Sequence, residues 1–311
     1  MKIKVGRYSV DITHPDKILF GKSGLTKQDL VDYYFAIAPI MMPHIDDRPI
    51  SMQRFPQGIA KEGFYQKDAS DYFPKWITRI PIGKQEGGKV DYVVIDKPAT
   101  LIYLANQNCI TPHVWLSKTD NIHKPDRMIF DLDPAESLSF ADIQDVAKKL
   151  KTILDDLELP TLCMLTGSRG AHIVVPLKSV HTFDEVRDFA HDIAKLLAQQ
   201  FPKLITIDVH KTKRGKRVFI DWLRNGFGAT AVAPYAVRAR ENAPVAMPVT
   251  WKELLSPKMI SQKYTIKNVG KRISKIGDVW QDMNKYAVTL TKARKKLDVI
   301  INTLDPSTSS G

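Results

Sequence analysis

The chain has 311 residues, of which 43% are hydrophobic and 26% charged, a composition that predicts one large or two small folded domains and excludes a disordered protein. No run approaches the roughly 18 apolar residues of a membrane span, and the first residues lack the apolar core of a secretory signal, so we expect a cytoplasmic location. The net charge is +12, with 21 basic and 8 acidic residues in 201–311 but 7 and 12 in 131–200. A basic flank beside an acidic centre suits a nucleic-acid enzyme with a carboxylate-bound metal, although a merely soluble basic protein remains an alternative.

Residues 1–125 are predicted to form an N-terminal α+β lobe. A helical pattern covers 27–42, and Pro43 is expected to follow the end of this helix. Strand-like runs lie near 49–55, 91–95 and 100–105.

Residues 126–255 predict a second lobe in which strands and helices follow the order β-α-β-β-α-β. The first helix has Ser139 as its N-cap, and the second begins with a capping box of Thr182 and Glu185. The predicted strands are 127–133, 161–166, 171–177, 204–209 and 217–222. This order is the split βαβ arrangement, an antiparallel sheet with helices on one face, and we expect a site on its open face.

The last part of the chain, 256–311, is predicted to be a basic C-terminal extension. Its final residues, STSSG, are expected to form a disordered tail.

Asp131 and Asp133 provide the strongest local signal for chemistry, because residues i and i+2 of a strand project from the same face. Two carboxylates this close can share a divalent cation, and their repulsion is costly without one. Asp221 ends another predicted strand, and three converging carboxylates form the two-metal pattern of phosphoryl transfer. The alternatives are an Asp133 bonded to its own backbone and an ion pair of Asp221 with Arg217 or Lys216.

Residues 166–172, TGSRGAH, are predicted to hold phosphate groups. The two glycines let backbone N–H groups approach an anion, Ser168 and Arg169 add donors, and His172 projects from the next strand. The alternative is an ordinary hairpin turn with a surface arginine and a histidine that is satisfied by its neighbours.

A series of short motifs spans nearly the whole chain. In order, they are His14-Pro15-Asp16-Lys17, Leu25-Thr26-Lys27, VDYY at 31–34, RFPQG at 54–58 with Phe64, FDLDP at 130–134, TGSRGAH at 166–172, VFIDW at 218–222 and APYAVRAR at 233–240. Together they resemble the polymerase domain of bacterial ligase D, a member of the archaeo-eukaryotic primase superfamily that serves non-homologous end joining. The resemblance implies an α+β primase-polymerase fold, in which an RRM-like catalytic sheet packs with the N-terminal lobe.

The resemblance also implies a template-directed, ribonucleotide-preferring nucleotidyltransferase that fills or extends DNA ends. Two divalent ions, Mn²⁺ or Mg²⁺, would be held by the catalytic residues Asp131, Asp133 and Asp221. The incoming nucleotide would be bound by Arg54, His113, Thr166, Arg169, His172, Arg214 and Arg238. The DNA contacts would be Lys17 and Lys27 on a terminal 5′-phosphate and Phe64 on the template, for which the alternatives are solvated lysines and a core phenylalanine.

The implied partners are template-primer DNA, ribonucleoside or deoxyribonucleoside triphosphates, Ku and a DNA ligase, at the nucleoid in the cytoplasm. Four positions depart from the family pattern. Thr166 and Arg169 stand where serine and lysine are usual, Gln53 where lysine is common, and Arg224 where glutamine is common. These changes concern nucleotide affinity and ribose selectivity. The sequence contains no K-x-D-G ligase nucleophile motif and no nuclease-type module, so we expect sealing to come from elsewhere.

Three other functions remain open. A primase that starts strands unaided and a metal nuclease would use the same carboxylates, whereas a non-catalytic binding module would not need them. The binding module is disfavoured because RGAHIVV lacks the stacking aromatic residues of an RRM strand.

Overall fold

The structure is a computed structural model and describes residues 1–83 and 87–304. The strands are β1 (Lys2–Val5), β2 (Tyr8–Asp11), β3 (Ile18–Phe20), β4 (Leu25–Thr26), β5 (Arg48–Arg54), β6 (Phe64–Gln66), β7 (Arg79–Gly83), β8 (Lys89–Ile95), β9 (Cys109–Trp115), β10 (Arg127–Pro134), β11 (Leu162–Leu165), β12 (Ala171–Pro176), β13 (Ile205–Thr206), β14 (Val218–Asp221), β15 (Thr230–Val232) and β16 (Met247–Val249). The α-helices are α1 (Lys27–Ile45), α2 (Pro98–Asn106), α3 (Phe140–Asp156), α4 (Phe183–Gln200), α5 (Trp251–Leu254), α6 (Val269–Ile276) and α7 (Thr291–Leu304). The predicted α+β class is confirmed, and none of the helices in the described ranges is long and apolar enough to cross a membrane.

The catalytic sheet has the strand order β13-β14-β10-β12-β11-β16. Its four central strands are antiparallel and follow the predicted split βαβ order. The helices α3 and α4 begin at the predicted N-cap Ser139 and the predicted capping box of Thr182 and Glu185, and each buries one apolar stripe against the sheet. Only two residues of the predicted strand 204–209 pair, with β13 running parallel to β14.

The face of this sheet away from the helices is open at one end only, not along its whole length. Ile129, Met164 and Val174 project from it and are buried, and Val114 and Val232 of a second sheet line the same apolar space. The prediction of an open face was therefore too broad, because these apolar side chains must also be kept from water. The opening lies where polar residues replace them.

The second sheet has the order β15-β9-β5-β8-β7, with β6 also paired to β5. It contains the N-terminal strands, but β15, which comes from the predicted catalytic segment, pairs with β9. The two predicted lobes therefore share a sheet, and the chain returns to the N-terminal lobe after it has built the catalytic one.

The helix α1 extends beyond its predicted end. It runs through Pro39 and Pro43 to Ile45, although a proline was expected to terminate it. Both prolines are exposed, and the carbonyls that they leave without an N–H partner belong to Phe35 and Pro39, which are also exposed. Water can replace the lost hydrogen bonds on that side, so the helix continues.

The predicted strand at 100–105 is wrong, because these residues lie within α2. Every residue from Ala99 to Asn106 is buried. The helix therefore has no exposed polar face, and its sequence lacks the spacing of apolar residues that distinguishes a helix from a strand. Pro98 at the first helical turn was the available signal for a helix.

The C-terminal segment packs against both lobes instead of extending from them. Asp278 accepts hydrogen bonds from His44 at 2.7 Å and from the Tyr235 hydroxyl at 2.6 Å. Arg294 of α7 donates to Asp192 of α4 at 2.6 Å. The predicted disordered tail lies outside the described residues.

Candidate active site

Three aspartates meet where the catalytic sheet is open. Asp131 of β10 lies directly opposite Asp221 of β14 in the antiparallel register, and Asp133 follows two residues later on the same face. One carboxylate oxygen from each residue lies within 4.8 Å of the other two. The alternating Phe130 and Leu132 are fully buried on the helix side of the sheet, so the strand period fixes the direction of the carboxylates.

The pKa values of the three aspartates shift in different directions. Burial raises the pKa of Asp131, but attraction to His172, Arg224 and Arg238 outweighs it and lowers the pKa overall. Burial and the charge of Asp131 raise the pKa of Asp133, and burial raises that of Asp221. Bringing three carboxylates together in a low-dielectric site therefore costs free energy, which cations would offset.

The same residues fit hard divalent cations. Mn²⁺ and Mg²⁺ prefer carboxylate oxygen ligands, and the three aspartates offer several. The Oδ1 atom of Asp131 is buried and accepts no hydrogen bond from the residues that the structure describes; the Nε2 atom of His172 lies 3.3 Å from it without hydrogen-bond geometry. An oxygen in this condition is available as a metal ligand.

A cleft of about 170 Å³ adjoins the aspartates. Four of the seven predicted nucleotide-binding residues line it: His113, Thr166, His172 and Arg238. His113 comes from β9 of the second sheet, so the cleft lies between the two sheets. Burial and the nearby charges of Arg238 and Arg224 lower the pKa of His113 to about 3, so this imidazole is neutral near pH 7.

The TGSRG turn is held by specific hydrogen bonds. The Thr166 hydroxyl donates to the Gly170 carbonyl at 3.0 Å, and Arg238 donates to the Thr166 carbonyl at 2.9 Å. From the C-terminal segment, Ser261 donates to the Gly170 carbonyl at 2.7 Å and Gln262 to the Ser168 carbonyl at 2.8 Å. The turn is thus rigidly positioned beside the cleft.

The glycines of this turn serve packing. A Cβ at Gly170 would lie 1.9 Å from the Leu132 carbonyl oxygen, and one at Gly167, whose φ is +64°, would lie 2.8 Å from Val245 backbone atoms. Neighbouring backbone occupies the Cβ positions, so both glycines have a steric reason in addition to the predicted approach of their N–H groups to an anion, which stays a prediction.

The structure does not bring Arg54, Arg169 and Arg214 into this cleft. Arg54 donates to the Gln107 carbonyl at 3.0 Å and to the Gln66 amide oxygen at 2.7 Å. Arg169 lines a separate groove next to the turn. The guanidinium carbon of Arg214 lies 3.6 Å from the centre of the Phe219 ring, on the sheet face that also carries Asp221.

The predicted DNA contacts lie in the N-terminal lobe. Lys27 is buried at 3% exposure and donates to the Thr13 carbonyl at 2.8 Å. Burial and the charge of Lys17 lower the pKa of Lys27. Lys17 is exposed, and its carbonyl accepts the Lys27 backbone N–H at 2.8 Å. Phe64 is 46% exposed, so it is not a core residue, and Lys27 is not a solvated one.

Comparison with known proteins identifies the family and the fold. The family model described as LigD, primase-polymerase domain, matches residues 26–280. The chain belongs to this family. The polymerase domain from Mycobacterium tuberculosis ligase D, solved in complex with DNA, superposes with a TM-score of 0.83 at 31% identity and covers 89% of this chain and 99% of that one.

Two curated relatives of this LigD domain are much longer. The multifunctional non-homologous end joining protein LigD of Mycolicibacterium smegmatis is 34% identical over 272 residues, which are 87% of this chain and 35% of that protein. The bifunctional non-homologous end joining protein LigD of Bacillus subtilis is 30% identical over 269 residues, 86% of this chain and 43% of that protein. The chain therefore spans less than half the length of the curated relatives it matches. The resemblance to the ligase D polymerase domain is confirmed.

Sequence reasoning missed three kinds of residue in this LigD domain. Arg224 was noted only as a departure from the family pattern, yet it contacts two of the aspartates. Tyr65 lines the cleft and lies 5.3 Å from His113, ring centre to ring centre. Ser261 and Gln262 brace the turn from a segment that was predicted to be an appendage, and no local motif marks them.

Proposed function

We propose that this LigD primase-polymerase domain is a template-directed nucleotidyltransferase that adds nucleotides, with a preference for ribonucleotides, to primer 3′-ends at broken DNA. The observation that carries the proposal is the set of three carboxylates, with oxygens within 4.8 Å of one another, beside a cleft lined by His172 and Arg238. Acidic ligands next to basic side chains suit a triphosphate bound with divalent cations. The M. tuberculosis domain, solved with DNA, supports a DNA substrate.

Asp131, Asp133 and Asp221 would hold two divalent cations, Mn²⁺ or Mg²⁺. When bound, such ions lower the pKa of an attacking hydroxyl and neutralise the charge of a leaving pyrophosphate. The protein contributes a rigid frame, because the aspartates stand on paired strands. His172 lies opposite Asp131 in the β10–β12 register and would contact the phosphates.

The cleft would hold the triphosphate and ribose rather than the whole nucleotide. The base would therefore remain outside, where it can pair with a template. Thr166 and Arg238 lie on the inner wall, whereas Arg54, Arg169 and Arg214 would contact the parts of the nucleotide or DNA that stay outside.

Lys17 and Lys27 would bind a terminal 5′-phosphate. Lys27 is buried and has no carboxylate within 4.0 Å in the part of the chain that the structure describes. A buried ammonium group without a counter-charge is costly, and a phosphate would supply that charge. The exposed ring of Phe64 would stack on a template base. The names of the LigD relatives state non-homologous end joining, and in that role the implied partners of this domain would be Ku and a DNA ligase, at the nucleoid.

Primer extension tests the proposal and separates it from its rivals. The protein is given a template-primer, nucleoside triphosphates and Mn²⁺, alongside Asp131→Asn, Asp221→Asn and the matched control Asp145→Asn, whose side chain pairs with Lys149 on an exposed helix face. We expect extension by the wild type and by the control but not by the two site variants. Products without a primer would indicate a primase, shortening a nuclease, and no reaction a binding module.

A further inference from the structure

The guanidinium group of Arg224 lies inside the carboxylate cluster because of the local fold. A 3₁₀ helix, Trp222–Asn225, follows β14 directly, and Asp221 caps it by accepting the Leu223 N–H at 3.1 Å. Side chains three residues apart eclipse in a 3₁₀ helix. Arg224 is therefore turned back over the carboxylate of Asp221.

Arg224 bridges carboxylates on two strands. Its Nε atom lies 3.1 Å from Oδ2 of Asp221 and 3.3 Å from Oδ2 of Asp131. Within residues 1–83 and 87–304, no other lysine or arginine side chain has a nitrogen within 4.0 Å of the three site carboxylates. Among the described residues, a single side-chain cation thus contacts one oxygen of each of two carboxylates that a shared metal ion would use.

The hydrogen bonds that hold the Arg224 guanidinium in place are weak. Both carboxylates compete for one N–H group, in place of the bidentate fork that makes arginine pairs strong. Its Nη1 atom donates a long hydrogen bond of 3.4 Å to the Thr230 carbonyl, and 40% of the side chain is exposed. The guanidinium can leave the cluster without opening the core.

We propose that Arg224 is a built-in counter-ion, which a divalent cation must displace, and that it sets the metal concentration at which the site fills. The inference rests on the proposed function, because it takes the aspartates as metal ligands. The guanidinium stabilises the clustered carboxylates in the metal-free protein and, by the same charge, weakens metal binding. A neutral glutamine at this position would not compete with the metal ion.

Manganese binding tests this inference without reference to activity. Titration with Mn²⁺ alone, followed by the electron paramagnetic resonance signal of the free ion, gives the affinity of the wild type, Arg224→Gln, Arg224→Lys and Asp221→Asn. We expect roughly tenfold tighter binding by Arg224→Gln, because one competing charge is lost at a partly exposed site. Arg224→Lys keeps the charge and should stay near the wild type.

Thermal melting separates this role from a merely structural one. Without metal, Arg224→Gln should melt below the wild type, and Mn²⁺ should raise its melting temperature by more than it raises that of the wild type. A purely structural arginine would give the lower melting temperature with unchanged or weaker Mn²⁺ affinity. That result would overturn the inference, as would an equal gain of affinity in Arg224→Lys.

Displacement can be measured in the wild type even if Arg224→Gln fails to fold. Modification by phenylglyoxal, mapped by mass spectrometry, should increase at Arg224 when Mg²⁺ is added, while the exposed Arg7 serves as the reference. Unchanged or reduced labelling would contradict displacement. If the wild type and both Arg224 variants bind no Mn²⁺, the metal assignment of the proposed function fails; if Asp221→Asn alone loses binding and Arg224→Gln matches the wild type, only this inference fails.

Discussion

Replacing Gly170 with alanine should damage the site, because the new side chain would displace the backbone of Leu132, which lies between Asp131 and Asp133. The new Cβ would lie 1.9 Å from the Leu132 carbonyl oxygen and 3.1 Å from the Leu132 carbonyl carbon. Cβ atoms essentially never lie within 3.0 Å of other heavy atoms, so β10 and the turn before β12 must separate by about 1 Å. The displaced residue stands between Asp131 and Asp133, so their spacing changes with it.

The magnitude follows from two effects. Overpacking of a well-packed interior costs about 1–3 kcal/mol of stability, and a displacement of about 1 Å in a catalytic constellation can cost about 100-fold in rate. We therefore expect Gly170→Ala to lose about 2 kcal/mol in urea denaturation and about 100-fold in single-turnover nucleotide addition. Nucleotide addition should fall under conditions where the variant remains folded.

Gly270→Ala is the matched control. Gly270 lies in α6, and a Cβ there would meet nothing within 4 Å. This change should keep full activity and leave stability equal or slightly higher, because alanine favours a helix by about 1 kcal/mol over glycine. If Gly170→Ala is as stable and as active as Gly270→Ala, the steric account of the turn is refuted.

Three further sets of substitutions are expected to affect DNA-end binding, nucleotide binding and stability, respectively. Joint replacement of Lys17 and Lys27 by alanine should weaken binding of gapped DNA about tenfold only when a 5′-phosphate is present, because charge-assisted contacts are lost; equal loss on 5′-hydroxyl DNA, in titrations at one salt concentration, would contradict this. His172→Ala should reduce nucleotide binding but not DNA-end affinity, and parallel loss of both would remove its proposed role. Burial raises the pKa of the Asp126 carboxyl group, but two arginines outweigh it and lower that pKa overall. The ionised carboxylate should therefore stabilise the fold above the unfolded pKa of about 3.9, and this contribution to stability should shrink as the pH falls below that value. Asp126→Asn should therefore cost about 3–5 kcal/mol at pH 7 and less at pH 3, as measured by urea denaturation, and a cost that does not change with pH would refute the ionised pair.

The sequence predicted the parts of the fold that depend on short-range patterns. The capping boxes at Ser139 and Thr182 mark real helix starts, because caps satisfy backbone groups within one turn. The convergence of Asp131 with Asp221 followed from strand alternation and from the known order of the split βαβ sheet.

The features that prediction missed depend on contacts between distant segments. The apolar run in α2 shows no period because other elements surround it on all sides. The burial of Lys27, whose hydrogen-bond acceptor is the Thr13 carbonyl, depends on how the loop before β3 folds over α1. Ser261 reaches the turn across 91 residues, so no local motif could reveal its contact.

Single-nucleotide incorporation in the presence of Mn²⁺ tests the central claim most directly. A gapped duplex with one unpaired template base is offered each of the four ribonucleotides and deoxyribonucleotides in turn, with the wild type and with Asp131→Asn. We predict addition only of the nucleotide complementary to the template base, faster for the ribonucleotide, and none with Asp131→Asn. Addition that ignores the template base, or that persists in Asp131→Asn at the wild-type rate, would contradict the proposed template-directed polymerase.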